Sequence, residues 1–288
     1  MMATPRWILT LACEDRVGIV AAVSGFLAER DGFIVDSQQY ADLDTGRFFM
    51  RVVFQAGGVR FPGDTRQLRA AFAEIAVRFG LSWALVDSDV KPRAIVAVSK
   101  GAHCLNDLLF RRQTGSLSVE IAAVVSNHET LRGLADWHGV PFHHLPVTDD
   151  NRDVQEAAIG RLLDQAGAEL LILARYMQVL SSRFAVRLDG RCVNIHHSFL
   201  PGFKGARPYH RAHERGVKLI GATAHFVTGD LDEGPIIEQA VERVDHRATV
   251  DDLIAIGRDI EAQVLARAVN AIGERRVFLN GGKTVVFR

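Results

Sequence analysis

Few of the features that announce a function are present in this chain. Its three cysteines, Cys13, Cys104 and Cys192, are far apart and odd in number. No CxxC pair occurs, which argues against a zinc knuckle and a disulfide framework. Buried small hydrophobes suited to a reducing cytoplasm are expected instead. Net charge is also missing, because 34 Lys and Arg balance 34 Asp and Glu. Such a chain feels no global pull toward nucleic acid or an anionic membrane, although a local anion pocket stays compatible with it. No apolar run approaches the roughly 20 residues of a membrane helix. The opening "MMATPRWILTLACEDR" has no long apolar stretch before its first charges, so a secretory leader is not expected. No GxGxxG follows the apolar run 94–99, no GxxxxGK(S/T) occurs, and HExxH is absent. Nicotinamide cofactors, ATP and a standard zinc hydrolase site are thereby disfavoured. There is no low-complexity tract and no solenoid period.

What remains is 288 residues, 48% of them apolar, enough for two ordinary domains with real cores. The first 90 residues read as strand 7–13, helix 14–31, strand 32–42, strand 47–55, helix 64–80 and strand 81–87. In the first helix Ile19, Val20, Val23, Phe26 and Leu27 share one face. That βαββαβ order predicts a small ferredoxin-like α+β sandwich. The polar, proline-bearing "SDVKPRA" (88–94) marks a boundary, giving domains 1–88 and 89–288. Beyond it, strands at 94–99, 119–126 and 168–174 alternate with helices near 103–113, 128–138 and 152–166, with a short run at 141–146. Uniformly apolar strands alternating with helices predict an open, mostly parallel α/β sheet. Extended segments 217–227 and 234–244 and a long helix, 249–274, close the pattern. Ligands of such sheets bind beyond the carboxyl ends of the strands.

"NIHHS" (194–198) begins where the short strand "RCVNI" ends. In extended backbone Asn194 and His196 point the same way. An amide and a protonated imidazole both donate hydrogen bonds, and two donors converging on one carbonyl make an oxyanion site worth a few kcal/mol. A loop whose polar side chains bond their own backbone is the plainer alternative. "GDLDEG" (229–234) places Asp230, Asp232 and Glu233 in a turn between two extended runs. An aspartate from it would favour the imidazolium and position or deprotonate a water; a solvent-facing acidic turn is the alternative. A zinc site built from His196, His197, His210 and His213 is the rival chemistry, but no known ligand spacing supports it. One of His143 and His144, at the end of a strand, is a further candidate to face ligand. "PGFKGARPYHRAHERG" (201–216), with Lys204, Arg207, Arg211 and Arg215, reads as a rigid loop and helix that present positive charge. By spacing alone "YMQVL" (176–180) is ordinary helix core.

Several runs together carry a resemblance: "DRVGI" and "TGRFFMR" in the first domain, then "HCLNDLL", "VSNHETL", "LARYMQVLS", "NIHHSFLPGFKGARPYHRAHERGVKLIGATAHFV", "LDEGPII" and "GRDIEAQVLARA". Over nearly its whole length the chain resembles the formyltetrahydrofolate deformylases. The resemblance implies an N-terminal ACT domain at 7–87 and a formyltransferase-type catalytic domain at 93–288. It implies hydrolysis of 10-formyltetrahydrofolate to formate and tetrahydrofolate by Asn194, His196 and Asp232, without metal or cofactor. It implies a pterin slot with Met177, Val179 and Leu180 on one side and Val227, Thr228 and Asp230 on the other. Related transferases usually have proline after the catalytic histidine; His197 stands there instead, which favours water as acceptor. Gln178 replaces the Arg or Lys often found at its position. A transferase using the same trio, and a folate-binding sensor, are the alternative readings. The resemblance further implies a cytoplasmic homo-oligomer, dimer or tetramer, that supplies formate for purine synthesis. An amino-acid effector is expected near Asp15 and Gly18, and no nucleic acid or membrane partner is.

Overall fold

The computed structural model describes residues 4–148, 150–200 and 208–288. They form two compact units. The first holds the residues up to Lys91 together with Glu274–Asn280 and Val285–Arg288; the second holds Pro92–Gly273 and Gly281–Thr284.

The first unit runs β1 (Arg6–Glu14), α1 (Ile19–Glu29), β2 (Gly32–Asp42), β3 (Arg47–Ala56), α2 (Thr65–Phe79) and β4 (Ser82–Asp87). Its strands pair antiparallel in the order β2-β3-β1-β4. Alternation along β1 sends Trp7, Leu9, Leu11 and Cys13 into one core. There they meet Val23, Phe26 and Leu27 of α1 and Leu68, Phe72 and Ala76 of α2. The ends of α2 follow local chemistry: the Asp64 carboxylate accepts from the Arg66 amide at 2.9 Å, and Gly80 ends the helix at φ 63°. The first helix is shorter than the apolar pattern 14–31. β1 continues to Glu14, and Gly18 sits at φ 100°, a conformation no α-helix contains, so the first helical residue is Ile19.

The second unit runs β5 (Arg93–Val98), α3 (His103–Gln113) and β6 (Glu120–Ser126), then a 3-10 turn at Glu129–Leu131 leading into α4 (Arg132–Trp137). Next come β7 (Phe142–His144), α5 (Arg152–Ala166), β8 (Leu170–Leu173), α6 (Ser182–Arg187) and β9 (Cys192–His196). It closes with α7 (Pro208–Glu214), β10 (Leu219–Phe226), β11 (Ile236–Arg243) and α8 (Val250–Gly273). The sheet order is β11-β10-β9-β8-β5-β6-β7. β5 pairs parallel with β6 and β8, as do β6 with β7 and β8 with β9. β10 runs antiparallel to both its neighbours, so the sheet is mixed. All four residues of β8 are buried, which is why that strand reads as an unbroken apolar run.

The chain leaves β8 and β9 at one end of the sheet. After β8, residues 174–181 are not the helix that the apolar spacing of "YMQVL" implies taken alone. Side chains hold them as a loop: the Ser99 hydroxyl accepts from the Met177 amide at 3.0 Å, Gln155 donates to the Tyr176 hydroxyl at 2.5 Å, and Glu156 accepts from the Ser181 amide at 2.6 Å. Helix α6 starts only after Ser181 caps it.

The C-terminal hairpin, β12 (Val277–Asn280) and β13 (Lys283–Val286), escaped the periodicity reading. Its first strand belongs to the N-terminal unit. Asn280 donates to the buried Asp42 at 2.5 Å, and Phe278 meets Phe49 edge-on with centroids 5.8 Å apart. Among the described residues, no helix is long and apolar enough to cross a membrane.

Phe72 is fully buried, with Phe26 and Trp83 edge-on at 5.2 and 5.0 Å. Phe72→Ala should destabilise the N-terminal unit by about 3–5 kcal/mol, measured by urea denaturation; a loss under about 1 kcal/mol would show that the core collapses around the gap.

Candidate active site

The register of β9 against β10 builds the site. Asn194 lies directly opposite His225, and His196 opposite Thr223. Directly opposed residues of antiparallel strands share a face, as do residues two apart on one strand. Asn194, His196, Thr223 and His225 therefore project from one side of the sheet. Thr223, fully buried, anchors the chain just past the end of β9: its hydroxyl donates to the Ser198 carbonyl at 3.0 Å and accepts from the Leu200 amide at 3.1 Å and the Gln239 amide at 2.9 Å.

The acidic turn after β10 brings in the third group. Asp232 Oδ1 lies 3.2 Å from His196 Nδ1 and 3.7 Å from His225 Nε2. Asp232 is held at φ 57°, a left-handed conformation that costs a non-glycine residue about 1–3 kcal/mol. Two features aim it. A register shift between Ala224 and His225 bends the end of β10. Gly234 passes so close to the Phe226 carbonyl that a Cβ there would overlap it. The His196 hydrogen bond, then the nearby His225 imidazole, hold the Asp232 carboxyl well below the usual carboxylate range despite its burial.

These partners determine the histidine tautomers. Asp232 is ionised and only accepts, so His196 donates through Nδ1. His196 Nε2 is buried and has no hydrogen-bond partner among the described residues. His225 Nδ1 lies 2.8 Å from the Phe226 carbonyl and must donate to it. A neutral His225 then accepts through Nε2 from the Asn194 amide nitrogen, 3.3 Å away; a charged one donates toward Asp232. The proton on Nε2 therefore decides which of the two, the amide or the carboxylate, His225 serves. No motif in the sequence singles it out; its signal was the two-residue spacing from Thr223 on a strand whose partner was unknown.

Beside the sheet a buried carboxylate organises cations. Glu261 of α8 is 1% exposed. His103 Nε2 lies 2.9 Å from its Oε2, Arg175 Nε lies 3.3 Å from the same oxygen, and the Tyr209 hydroxyl donates to Oε1 at 2.8 Å. Burial alone would raise this carboxyl, but the His103 bond, the Arg175 charge and the Tyr209 bond hold it below its ordinary value. Ligand-capable atoms of His103, Cys104 and Glu261 fall within 4.8 Å of one another. Two features oppose an ion there: Arg175 already neutralises Glu261, and burial pushes the Cys104 thiol far from the thiolate a metal needs. A lone acid on the buried face of an apolar helix was the sequence signal for Glu261.

These parts surround a cleft of about 470 Å³ in the second unit. Asn194, His196 and Asp232 line it, and so do Met177, Val179, Leu180, His197, Val227, Thr228 and Asp230; Gln178 is there too. Met177 and Val179 present 61% and 54% of their surface to solvent, an unusual exposure for apolar side chains that a bound apolar body would cover. Other candidates lie elsewhere. His143 and His144 belong to β7, the far edge strand, where His144 pairs with Glu129 at 3.0 Å instead of facing the cleft. His210 and His213 are exposed on the seven-residue α7 and do not join His196 and His197. Lys204 and Arg207 fall outside the described residues. Asp15 and Gly18 are exposed in the turn before α1.

Comparison with known proteins agrees with this architecture. Residues 92–269 match the formyl transferase family model. Formyltetrahydrofolate deformylase of Corynebacterium sp. (strain P-1) is 50% identical over 98% of both chains, and that of Bacillus subtilis (strain 168) is 49% identical over 97% of this chain and 93% of its own. The crystal structure of the Burkholderia mallei deformylase superposes with a TM-score of 0.94 at 53% identity, covering 99% of this chain and 100% of that one. A glycinamide ribonucleotide transformylase from Symbiobacterium toebii matches 69% of this chain and 95% of its own, at 30% identity and a TM-score of 0.65. The agreement extends through both units, and the chain belongs to the formyltetrahydrofolate deformylase family.

Proposed function

We propose that this chain hydrolyses 10-formyltetrahydrofolate to formate and tetrahydrofolate, with Asn194, His196 and Asp232 as the reacting groups and no metal. The observation that carries the reading is the buried, unpartnered Nε2 of His196, aligned through Nδ1 by Asp232 in a cleft that Asn194 also lines. A donor in that position waits for an acceptor that the described residues do not supply.

The formyl oxygen accepts from the His196 imidazolium and the Asn194 amide. Water adds to the formyl carbon, and both donors strengthen as the oxygen becomes an oxyanion. Asp232, kept ionised by its histidine partners, is a poor resting proton sink. It holds the imidazolium charge and orders nearby water. The C–N10 bond then breaks as N10 takes a proton that came from the attacking water, relayed through solvent. The formic acid formed ionises to formate. The pterin lies in the apolar slot of Met177, Val179 and Leu180 against Val227, Thr228 and Asp230.

The first unit serves, in this reading, as an ACT-like regulatory and oligomerisation domain spanning about 1–88. Phe33 and Val35 are exposed on its edge strand β2, an apolar edge suited to a second copy. The first amides of α1 have no side-chain cap, so the turn of Asp15 and Gly18 would accept the carboxylate of an amino acid. Three buried, unpaired cysteines fit a cytoplasmic setting, where the formate would feed purine synthesis. Screening a panel of amino acids should find one that shifts the melting temperature or the turnover; a flat panel removes the effector.

Asn194→Ala should lower kcat by about 10²–10³, and Asp232→Asn should fold yet release almost no formate. Formate release without an amine acceptor is the decisive assay. Silence there, with transfer to an amine, would make the chain a transferase; tight folate binding without either would make it a sensor. The pH dependence of stability has a fixed sign. Asp232 titrates lower when folded than its unfolded value near 3.9, so its contribution is full above about pH 5 and fades as pH falls below about 4. The difference in melting temperature between the parent and Asp232→Asn should therefore shrink on acidification through that range. A difference independent of pH contradicts the ion pair.

A further inference from the structure

His197 carries a second buried nitrogen without a partner among the described residues. Its ring stacks on that of His196, with centroids 4.8 Å apart and planes 20° from parallel. Arg175 Nη1 lies 2.7 Å from His197 Nδ1. A guanidinium has no acceptor, so Nδ1 must receive this bond and carries no proton. Burial first, then the Arg175 charge, push the His197 imidazole down to about 4, so the ring is neutral at working pH. A neutral ring with a bare Nδ1 holds its proton on Nε2. That N–H is buried and finds no acceptor among the described residues, a deficit of about 1–3 kcal/mol.

The lock on this tautomer is rigid. Arg175 stands at φ 62°, a second left-handed non-glycine residue in the site. Its Nε bonds Glu261, whose two oxygens are already occupied by His103 and Tyr209. The guanidinium cannot turn away from His197 without breaking a buried ion pair. His196 and His197 line the same cleft, and each of the stacked rings keeps one buried nitrogen with no hydrogen-bond partner among the described residues. His196 and Asn194 already use both lone-pair directions of a carbonyl oxygen. The oxygen left to receive a third donor is that of water.

We propose that His197 is a further catalytic residue: its Nε2–H donates to the water that attacks the formyl carbon, and Arg175 and Glu261 are positioning residues that fix its tautomer. This deepens, and rests on, the hydrolytic reading of Asn194, His196 and Asp232. His197 transfers no proton. The water oxygen accepts the Nε2–H in one lone pair and bonds the formyl carbon with the other. One water proton ends on N10 as the C–N10 bond breaks, and another leaves when formic acid ionises.

The test combines kinetics with histidine nitrogen-15 spectroscopy of the full chain. His197→Phe keeps a ring for stacking and removes the donor; kcat should fall by about 100-fold, with little change in KM. His197→Gln restores an N–H and should recover about tenfold of that loss. The spectrum of the parent should show His197 neutral, protonated on Nε2, from pH 5 to pH 8, and Glu261→Gln should mix the two tautomers. Unchanged kcat in His197→Phe, equal losses in the Phe and Gln variants, or a parent signal from Nδ1–H would each overturn the proposal. If His197→Phe does not fold, the Gln variant and the parent spectrum decide. Failure of the underlying reading shows differently: Asp232→Asn would then release formate at the parental rate while the His197 signal stayed on Nε2.

Discussion

In the reaction proposed above, the chemistry depends on one hydrogen bond, from His196 Nδ1 to Asp232. It fixes the ring's tautomer and leaves Nε2 as the ring nitrogen without a partner among the described residues. It keeps the carboxylate ionised although its side chain is largely buried. The bond in turn requires a strained residue, a bent strand end and a glycine where no side chain fits. Those local costs fall on the acidic turn and on the strand end that leads into it. The frame of the second unit is built mostly from parallel, apolar strands, and the strain at Asp232 sits where it aims a polar group.

The two stacked histidines extend the same logic. One is oriented by a carboxylate directly; the other is oriented by a carboxylate through an arginine. Adjacent in sequence, they have different tasks in the reaction proposed above. A charged ring suits a developing oxyanion, whereas a ring held neutral is a donor that does not compete for the proton. Burial, and then the guanidinium set against it, keep the second ring neutral.

Much of this was legible in the sequence, for identifiable reasons. Strand and helix positions followed from hydrophobic period, and α2 from its Asp64 and Gly80 boundaries. Asn194 and His196 stood out because two polar residues spaced for one face of a strand ended an apolar run. Choosing Asp232 over its acidic neighbours needed the resemblance, since turn geometry is invisible to spacing. His225 was missed because its partner is set by strand register, which no local pattern encodes. Arg175 and Glu261 were missed because they matter only once α8 lies against the loop after β8. "YMQVL" resembles helix core by composition, but buried Gln155, Glu156 and Ser99 satisfy its backbone in another form. The β7 histidines misled for the opposite reason: they end a strand, but at the wrong edge of the sheet.

The placement of the three thiols has a practical corollary. Cys13 is 5% exposed in the first unit, and Cys104 and Cys192 are fully covered in the second. Burial also raises all three thiols, so the native chain offers a labelling reagent almost no thiolate. Alkylation can then proceed only through opening, and mass spectrometry of each cysteine becomes a clock for the unit that contains it. The molecule thus carries, without engineering, separate reporters of how often each of its halves comes apart.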